Sequence, residues 1–258
     1  MSALRVPDGP RRPHLPAVEL SPEVRDEVVR HGDLEVLGRM AWSSNATLLV
    51  HASLDGAEVR AIYKPIEGER PLWDFPDGTL AGREVAAHEL SAFLGWDIVP
   101  FTVLRDGPFG PGMVQRFVDH DPDDHYFTLL ERHLEEFRTF AVFDILANNT
   151  DRKGGHCLEE SGTGRVYGID HGLTFHAHPK LRTVIWDFGG EAIDDDLLAG
   201  VARVVDDLDA AGTLARALAP LIAPHEVRAL SERARELLEV RTLPIADEGY
   251  HSVPWPLV

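Results

Sequence analysis

Short apolar runs at residues 34–40, 46–52 and 58–64, separated by turn residues, predict three strands near the start of the chain. The segment Leu54-Asp55-Gly56-Ala57 supplies the turn between the last two. Ahead of them, Ser21-Pro22-Glu23 has the chemistry of a helix start: a hydroxyl N-cap, a proline at the first helical position, then Asp26 and Glu27. Between residues 83 and 94 the apolar positions change to helical spacing. Val85, Leu90, Phe93 and Leu94 join several alanines on one face, and Gly95 ends the helix. Strand-like runs return at 98–104 and 112–118 with Gly/Pro turn residues between them. Past residue 118 the pattern is mostly helical. Asp123 or Asp124 opens a long helix ending near Ala147, with Leu129, Leu130, Leu134, Phe137, Phe140, Ala141, Ile145 and Leu146 as its core stripe. A hairpin turns at residues 160–164, and later helices are predicted near 194–205, 209–219 and 224–239, with Pro220 and Pro224 breaking the last two apart.

This order predicts an α+β chain: a small antiparallel sheet with one main helix, then a mostly helical half. The expected divisions are an N-terminal arm at 1–17, an N-lobe at 18–118, a C-lobe at 119–241 and a tail at 242–258. A chain of 258 residues is long enough for two lobes with a cleft between them. The 43 acidic against 25 basic residues, a net charge of −18, argue against duplex nucleic acid as a partner and against broad docking on an anionic membrane. A single cysteine, Cys157, rules out an internal disulfide framework and a multi-cysteine zinc site. With no signal-peptide pattern and no uncharged apolar run of membrane-spanning length, a cytoplasmic location without a stable membrane anchor is expected.

Phosphoryl transfer needs a loop over the phosphates, a lysine that neutralises them, an acid that holds the lysine, an aspartate at the acceptor hydroxyl, and a metal ligand. Residues of these types occur in that order. Ser43, Ser44, Asn45, Ala46 and Thr47 lie between two expected strands, where small side chains and close backbone N–H groups suit phosphate oxygens. Lys64 ends a strand among apolar residues, and Glu84 follows at the start of the helix. Asp151 follows Asn148-Asn149-Thr150 at the end of an apolar helix, and Asp170 follows a short apolar strand. His156 lies five residues after Asp151, the offset between catalytic aspartate and metal-binding asparagine in the protein-kinase loop. Each of these also has an ordinary reading as a turn, cap or surface residue. The three histidines after Asp170 (His171, His176 and His178) keep a metal-dependent phosphohydrolase open as an alternative.

Taken together, residues 38–190 resemble the phosphatidylinositol 3-/4-kinase superfamily, the type II phosphatidylinositol 4-kinases most and HipA-type kinases more distantly. The likeness suits a small bacterial, actinobacterial-type kinase-like protein. The segments that carry it are Ser43-Ser44-Asn45-Ala46-Thr47, Ala61-Ile62-Tyr63-Lys64-Pro65, Glu84-Val85-Ala86-Ala87, Val114-Gln115-Arg116-Phe117-Val118, Asn149-Thr150-Asp151-Arg152 and Ile169-Asp170-His171-Gly172. The resemblance implies a two-lobed protein-kinase-like fold with ATP between the lobes and Mg²⁺ or Mn²⁺ beside it. It implies that Lys64 binds phosphates and Glu84 positions it. Gln115, Arg116, Phe117 and Val118 form a hinge meeting adenine, with Ile62 and Val114 around the ring. Asp151 serves an unidentified hydroxyl acceptor, Lys153 is a second phosphate neutraliser, and Asp170 with His156 holds the metal. Three departures stand out: a histidine where the family has asparagine, no cysteine cluster for lipid anchoring, and a short acidic chain. The first leaves a catalytically inactive ATP-binding pseudokinase as a second alternative.

Overall fold

The computed structural model describes residues 20–40, 46–247 and 252–258. The expected 1–17 arm and residues 43–45 of the phosphate loop lie outside the described residues. Helix α1 (Pro22–His31) begins as its sequence dictates, with the Val24 N–H donating to the Ser21 hydroxyl at 3.4 Å. It buries Val28 and Val29 against a five-stranded antiparallel sheet of β1 (Asp33–Arg39), β2 (Leu48–Leu54), β3 (Ala57–Pro65), β4 (Thr102–Gly107) and β5 (Gly110–Arg116). The strand order is β1-β2-β3-β5-β4, so β3 runs through the middle, paired with β2 and β5. Asp55 and Gly56 both take positive φ in the β2–β3 turn, the conformation for which Asp-Gly is selected.

Successive side chains on a strand face opposite ways. Ala61 and Tyr63 therefore pack with Val29, Val50 and Val114 beneath α1, while Ile62 and Lys64 face a cleft. The same alternation corrects one expectation. Val114 sits opposite Tyr63 in the ladder and lies wholly in the α1-side core, not on the cleft wall. The strand expected at 98–104 starts at Thr102 instead. The Ile98 and Val99 N–H groups donate to the Ser91 hydroxyl at 2.9 and 3.2 Å, so a helix side chain satisfies them instead of a neighbouring strand.

Helix α2 (Leu80–Leu94) starts three residues before the expected Arg83. Its first amides are capped from a distance: Leu80 and Ala81 donate to the Glu69 carboxylate at 3.2 and 2.8 Å. Gly95, at φ 71°, closes it as the sequence implies. The long helix expected from 123 to 147 is divided into α3 (Tyr126–Leu129), a 3-10 turn (Leu130–Arg132) and α4 (Leu134–Ala147). The break falls at His133, whose Nε2 lies 2.8 Å from the Glu159 carboxylate. It folds Tyr126 back to stack edge-on against Phe137 at 4.8 Å. Strands β6 (Cys157–Glu159) and β7 (Val166–Gly168) form the predicted hairpin. Helices α5 (Asp195–Asp209), α6 (Thr213–Leu218) and α7 (Pro224–Val240) complete the lower half. Phe137, Phe140, Phe143 and Leu146 of α4 share one core with Leu90 and Leu94 of α2, so the two halves are joined through α2.

Candidate active site

Lys64 leaves the end of β3 and meets two carboxylates. Its Nζ lies 2.6 Å from Glu84 Oε1 and 2.7 Å from Asp170 Oδ1. The other Glu84 oxygen accepts from the His171 backbone N–H at 2.7 Å, so one buried carboxylate fixes both the lysine and the segment that carries Asp170. Burial alone would push the Lys64 amine down, but Asp170 and Glu84 outweigh it and hold the amine above its ordinary value. Lys64 in turn holds the Asp170 carboxyl well below the usual carboxylate range. Burial raises Glu84, with Lys64 opposing. Two carboxylates around one ammonium leave the cluster a net negative charge, which suits a cation nearby.

The loop that carries Asp151 is assembled by side chains that reach back to backbone and to Asp144. Asn148 takes the left-handed position that ends α4, and its amide donates to the His176 and His178 carbonyls at 2.7 and 2.8 Å. Asn149 donates to Asp144 at 2.9 Å and accepts from the Asp151 N–H at 3.0 Å. Beneath the loop, the fully buried Arg152 grips Asp144 through Nε and a terminal nitrogen, at 2.9–3.2 Å. It also donates to the Ile169 carbonyl at 3.2 Å and to His171 Nε2 at 2.7 Å. This guanidinium therefore locks the loop to the Asp170 segment. Sequence reasoning gave Asp144 and Arg152 no role of their own and read His171 only as a candidate metal ligand. The available signal was Asp144, a charge inside an otherwise apolar helix, which requires a buried partner.

Asp151 is raised above its ordinary value by burial, while Lys153, 3.1 Å away, opposes the shift. His156 Nε2 lies 3.4 Å from Asp170 Oδ2. Burial, assisted by the Arg152, Lys153 and Lys64 charges, pushes the imidazole down to about 4, so the ring is neutral at ordinary pH. The Lys153 N–H points at Nδ1, 3.4 Å away, which makes Nδ1 the acceptor and leaves the ring proton on Nε2. In that tautomer Nε2 carries the ring proton, faces Asp170 Oδ2 at 3.4 Å and has no lone pair for a metal. The donor that fits a hard divalent cation is the Asp170 carboxylate, the remaining positions suiting phosphate and water oxygens. Among the described residues, no three His, Cys, Asp or Glu side chains gather around one point. His171 is instead engaged by Arg152, which removes the observation behind the phosphohydrolase alternative.

A cavity of 530 Å³ opens between sheet and loop. Its upper wall is Thr47, Ile62 and Lys64, its back wall Gln115, Arg116, Phe117 and Val118, and its floor Leu158 and Ile169. Asp151, Lys153, His156 and Asp170 lie at one end. The Arg116 guanidinium is turned away to pair with Glu160, over the Tyr167 ring at 4.9 Å. A second cavity, of 290 Å³, lies beside Glu69, Arg70, Leu80 and Leu173. Lys64, Asp151 and Asp170 line both, so the two spaces meet at these three residues. A larger cavity of 850 Å³, among Arg25, Arg60 and Asp119, shares Arg116 and Phe117 with the first but is not lined by Lys64, Asp151 or Asp170.

The fold is that of kinase-like proteins. It is similar to the Helicobacter pylori proinflammatory kinase CtkA, with a TM-score of 0.52 and 12% identity over 83% of this chain and 94% of that one. It is also similar to hydra Fam20 solved with sugar, with a TM-score of 0.50 and 12% identity over 83% of this chain and 87% of that one. In sequence, the family described as phosphatidylinositol 3- and 4-kinase matches residues 85–219. Protein Rv2133c of Mycobacterium tuberculosis is 42% identical over 275 residues, covering 92% of this chain and 98% of the relative. The chain belongs to the phosphatidylinositol 3- and 4-kinase family. Among the described residues no helix is long and apolar enough to cross a membrane.

Proposed function

We propose that this protein is an ATP-dependent phosphotransferase that moves the γ-phosphoryl group to a hydroxyl acceptor. The observation that carries the reading is Lys64, held between Glu84 and Asp170 at the point where two cavities meet beside Asp151. In this reading adenine lies against Ile62 and the backbone of residues 115–118. Lys64 neutralises the phosphates, Glu84 positions it, and residues 43–47 cover them. Lys153 is a second neutralising charge near the transferred group. Asp151 accepts the acceptor hydroxyl proton as the new O–P bond forms and the bond to the ADP oxygen breaks. Asp170 would hold Mg²⁺ or Mn²⁺, which would supply positive charge to neutralise the phosphates. His156 stands beside Asp170 as a neutral ring, 3.4 Å from its carboxylate, and does not itself ligate the metal.

ATP with metal at about 100 times its dissociation constant is expected to stabilise the protein by about 2.7 kcal/mol. That corresponds to a rise of roughly 5–10 °C in melting temperature for a chain of this size. Asp170→Ala should remove the metal-dependent part of the rise. Asp151→Ala should keep it and lose transfer of labelled phosphate. No rise with any nucleotide and metal would rule the reading out. The His156 tautomer also favours a second reading, a nucleotide-binding protein without turnover. Single-turnover ATP consumption in Mg²⁺ and in Mn²⁺ separates the two, since binding without consumption in either metal supports the second. A labelled-ATP screen over lipids, cell extract and the protein alone identifies the acceptor class.

A further inference from the structure

Residues 252–258 lie across the catalytic loop. The Ser252 carbonyl accepts from the Thr183 N–H at 3.0 Å and from the Trp186 indole N–H at 3.1 Å, fastening the segment to the stretch that follows Asp170. Pro254 is buried. The Leu257 carbonyl then accepts from the Gly154 N–H at 2.6 Å, three residues past Asp151. Pro256 and Val258 complete the wall of the 530 Å³ cavity beside Lys153 and His156. The Gly154-Gly155 pair belongs to this contact. A Cβ on Gly154 would stand 3.2 Å from the Phe127 ring and 3.3 Å from the Leu257 carbonyl, and one on Gly155 would touch Val258. The segment is thus fastened at both ends by backbone hydrogen bonds, yet Trp255 is 87% exposed. It adheres through its backbone and one buried proline, and its largest side chain adds little. That is a mode of binding suited to release.

An acceptor hydroxyl must come within about 3 Å of the Asp151 carboxylate to give up its proton. The segment occupies two surfaces next to that carboxylate, the Lys153–Gly155 loop and the Thr183–Trp186 stretch, whose Thr183 bridges Arg152. We infer that residues 252–258 form an intrasteric strap that occupies the acceptor-side approach to the catalytic loop and is displaced when a macromolecular acceptor binds. This rests on the phosphotransferase reading and adds to it a gate on acceptor access. Because the strap is tethered, its effective concentration at the groove is of millimolar order, so modest contacts suffice to keep it docked.

The test uses the full chain, a chain ending at residue 251, and Pro254→Asp, which detaches the strap without shortening the protein. ATP–metal stabilisation is measured first in all three. ATP hydrolysis is then followed, together with amide hydrogen exchange at Gly154 and Thr183. Both variants are expected to keep the ATP-induced stabilisation, to exchange faster at Gly154 and Thr183, and to turn over ATP at least about fivefold faster. The free heptapeptide of residues 252–258, at millimolar concentration, should reverse the gain in the shortened chain. Nucleotide bound by folded variants with unchanged or lower turnover overturns the strap and leaves the reading of the site standing. A full chain that binds no nucleotide overturns that reading, and the strap's gating role with it.

Discussion

His156 is the residue at which the family pattern and this site part company. Its ring is held neutral down to about pH 4 in the fold, whereas a free imidazole protonates near 6.5. Between those values the unfolded chain binds the extra proton, so stability rises with pH through the window and is lost as pH falls from about 6.5 toward 4. His171, also pushed below its ordinary value by burial, adds an effect of the same sign. The His156 contribution amounts to about 3 kcal/mol across the window. Urea denaturation at several pH values should show His156→Asn losing part of that slope. The asparagine carbonyl also supplies a hard oxygen beside Asp170, so the variant should show a larger Mg²⁺-dependent stabilisation by ATP. An unaltered pH slope would place the titration elsewhere. Beneath His156, the Asp144–Arg152 pair fixes the loop that His156 and Asp151 share. All its charge is buried, and its hydrogen bonds run to backbone as well as to side chains.

At the level of elements, α2 is aligned by groups outside itself. Its N-cap residue Thr79 makes no side-chain bond to the helix amides, and Glu69 on the preceding loop does so instead. Glu69→Ala should cost about 1 kcal/mol, the ordinary loss for a removed cap. The shift should appear in the urea midpoint together with faster amide exchange at Leu80 and Ala81. Exchange unchanged at those two amides would show that the cap does not hold this end. The consequence for function runs through Glu84, one turn further on, which depends on this end of α2 to reach Lys64. The division of α3 from α4 has a comparable origin. The local pattern from 123 to 147 reads as one helix, and the His133–Glu159 contact with the β6–β7 hairpin bends it.

Across the whole molecule, Arg83 ties the sheet half to the helical half. This fully buried guanidinium on α2 donates to the Thr174 carbonyl and to Glu226 of α7, both at 2.7 Å, and stacks on Phe75 at 4.8 Å. A second tie, Lys180 to Asp74 at 2.7 Å, closes the outer edge. Breaking a buried pair by removing one partner costs more than the pair itself contributes, because the other charge stays buried. Arg83→Leu should therefore destabilise by roughly 3–5 kcal/mol. Adding Glu226→Leu should recover part of that loss, measured by equilibrium unfolding. No recovery in the double variant would assign the cost to packing against Phe75. With these ties and a core shared through α2, the α2–Lys64–Asp170 arrangement is expected to persist with or without nucleotide.

Local chemistry alone determined much of this protein. The Ser21-Pro22 helix start, the Asp55-Gly56 turn, the Gly95 stop and the order of Lys64, Glu84, Asp151 and Asp170 follow from side-chain type and spacing, since caps, turns and charged anchors act over a few residues. What tertiary structure decided involves partners far apart in the chain. Val114 went to the α1 core because of its register opposite Tyr63. Glu69 capped a helix eleven residues away, and Arg83 found Glu226 across 143 residues. The neutral state of His156 came from burial and surrounding charge, and the cover over Gly154 came from the far end of the chain. Burial and long-range pairing set these features, and both depend on where the folded chain brings its distant parts together.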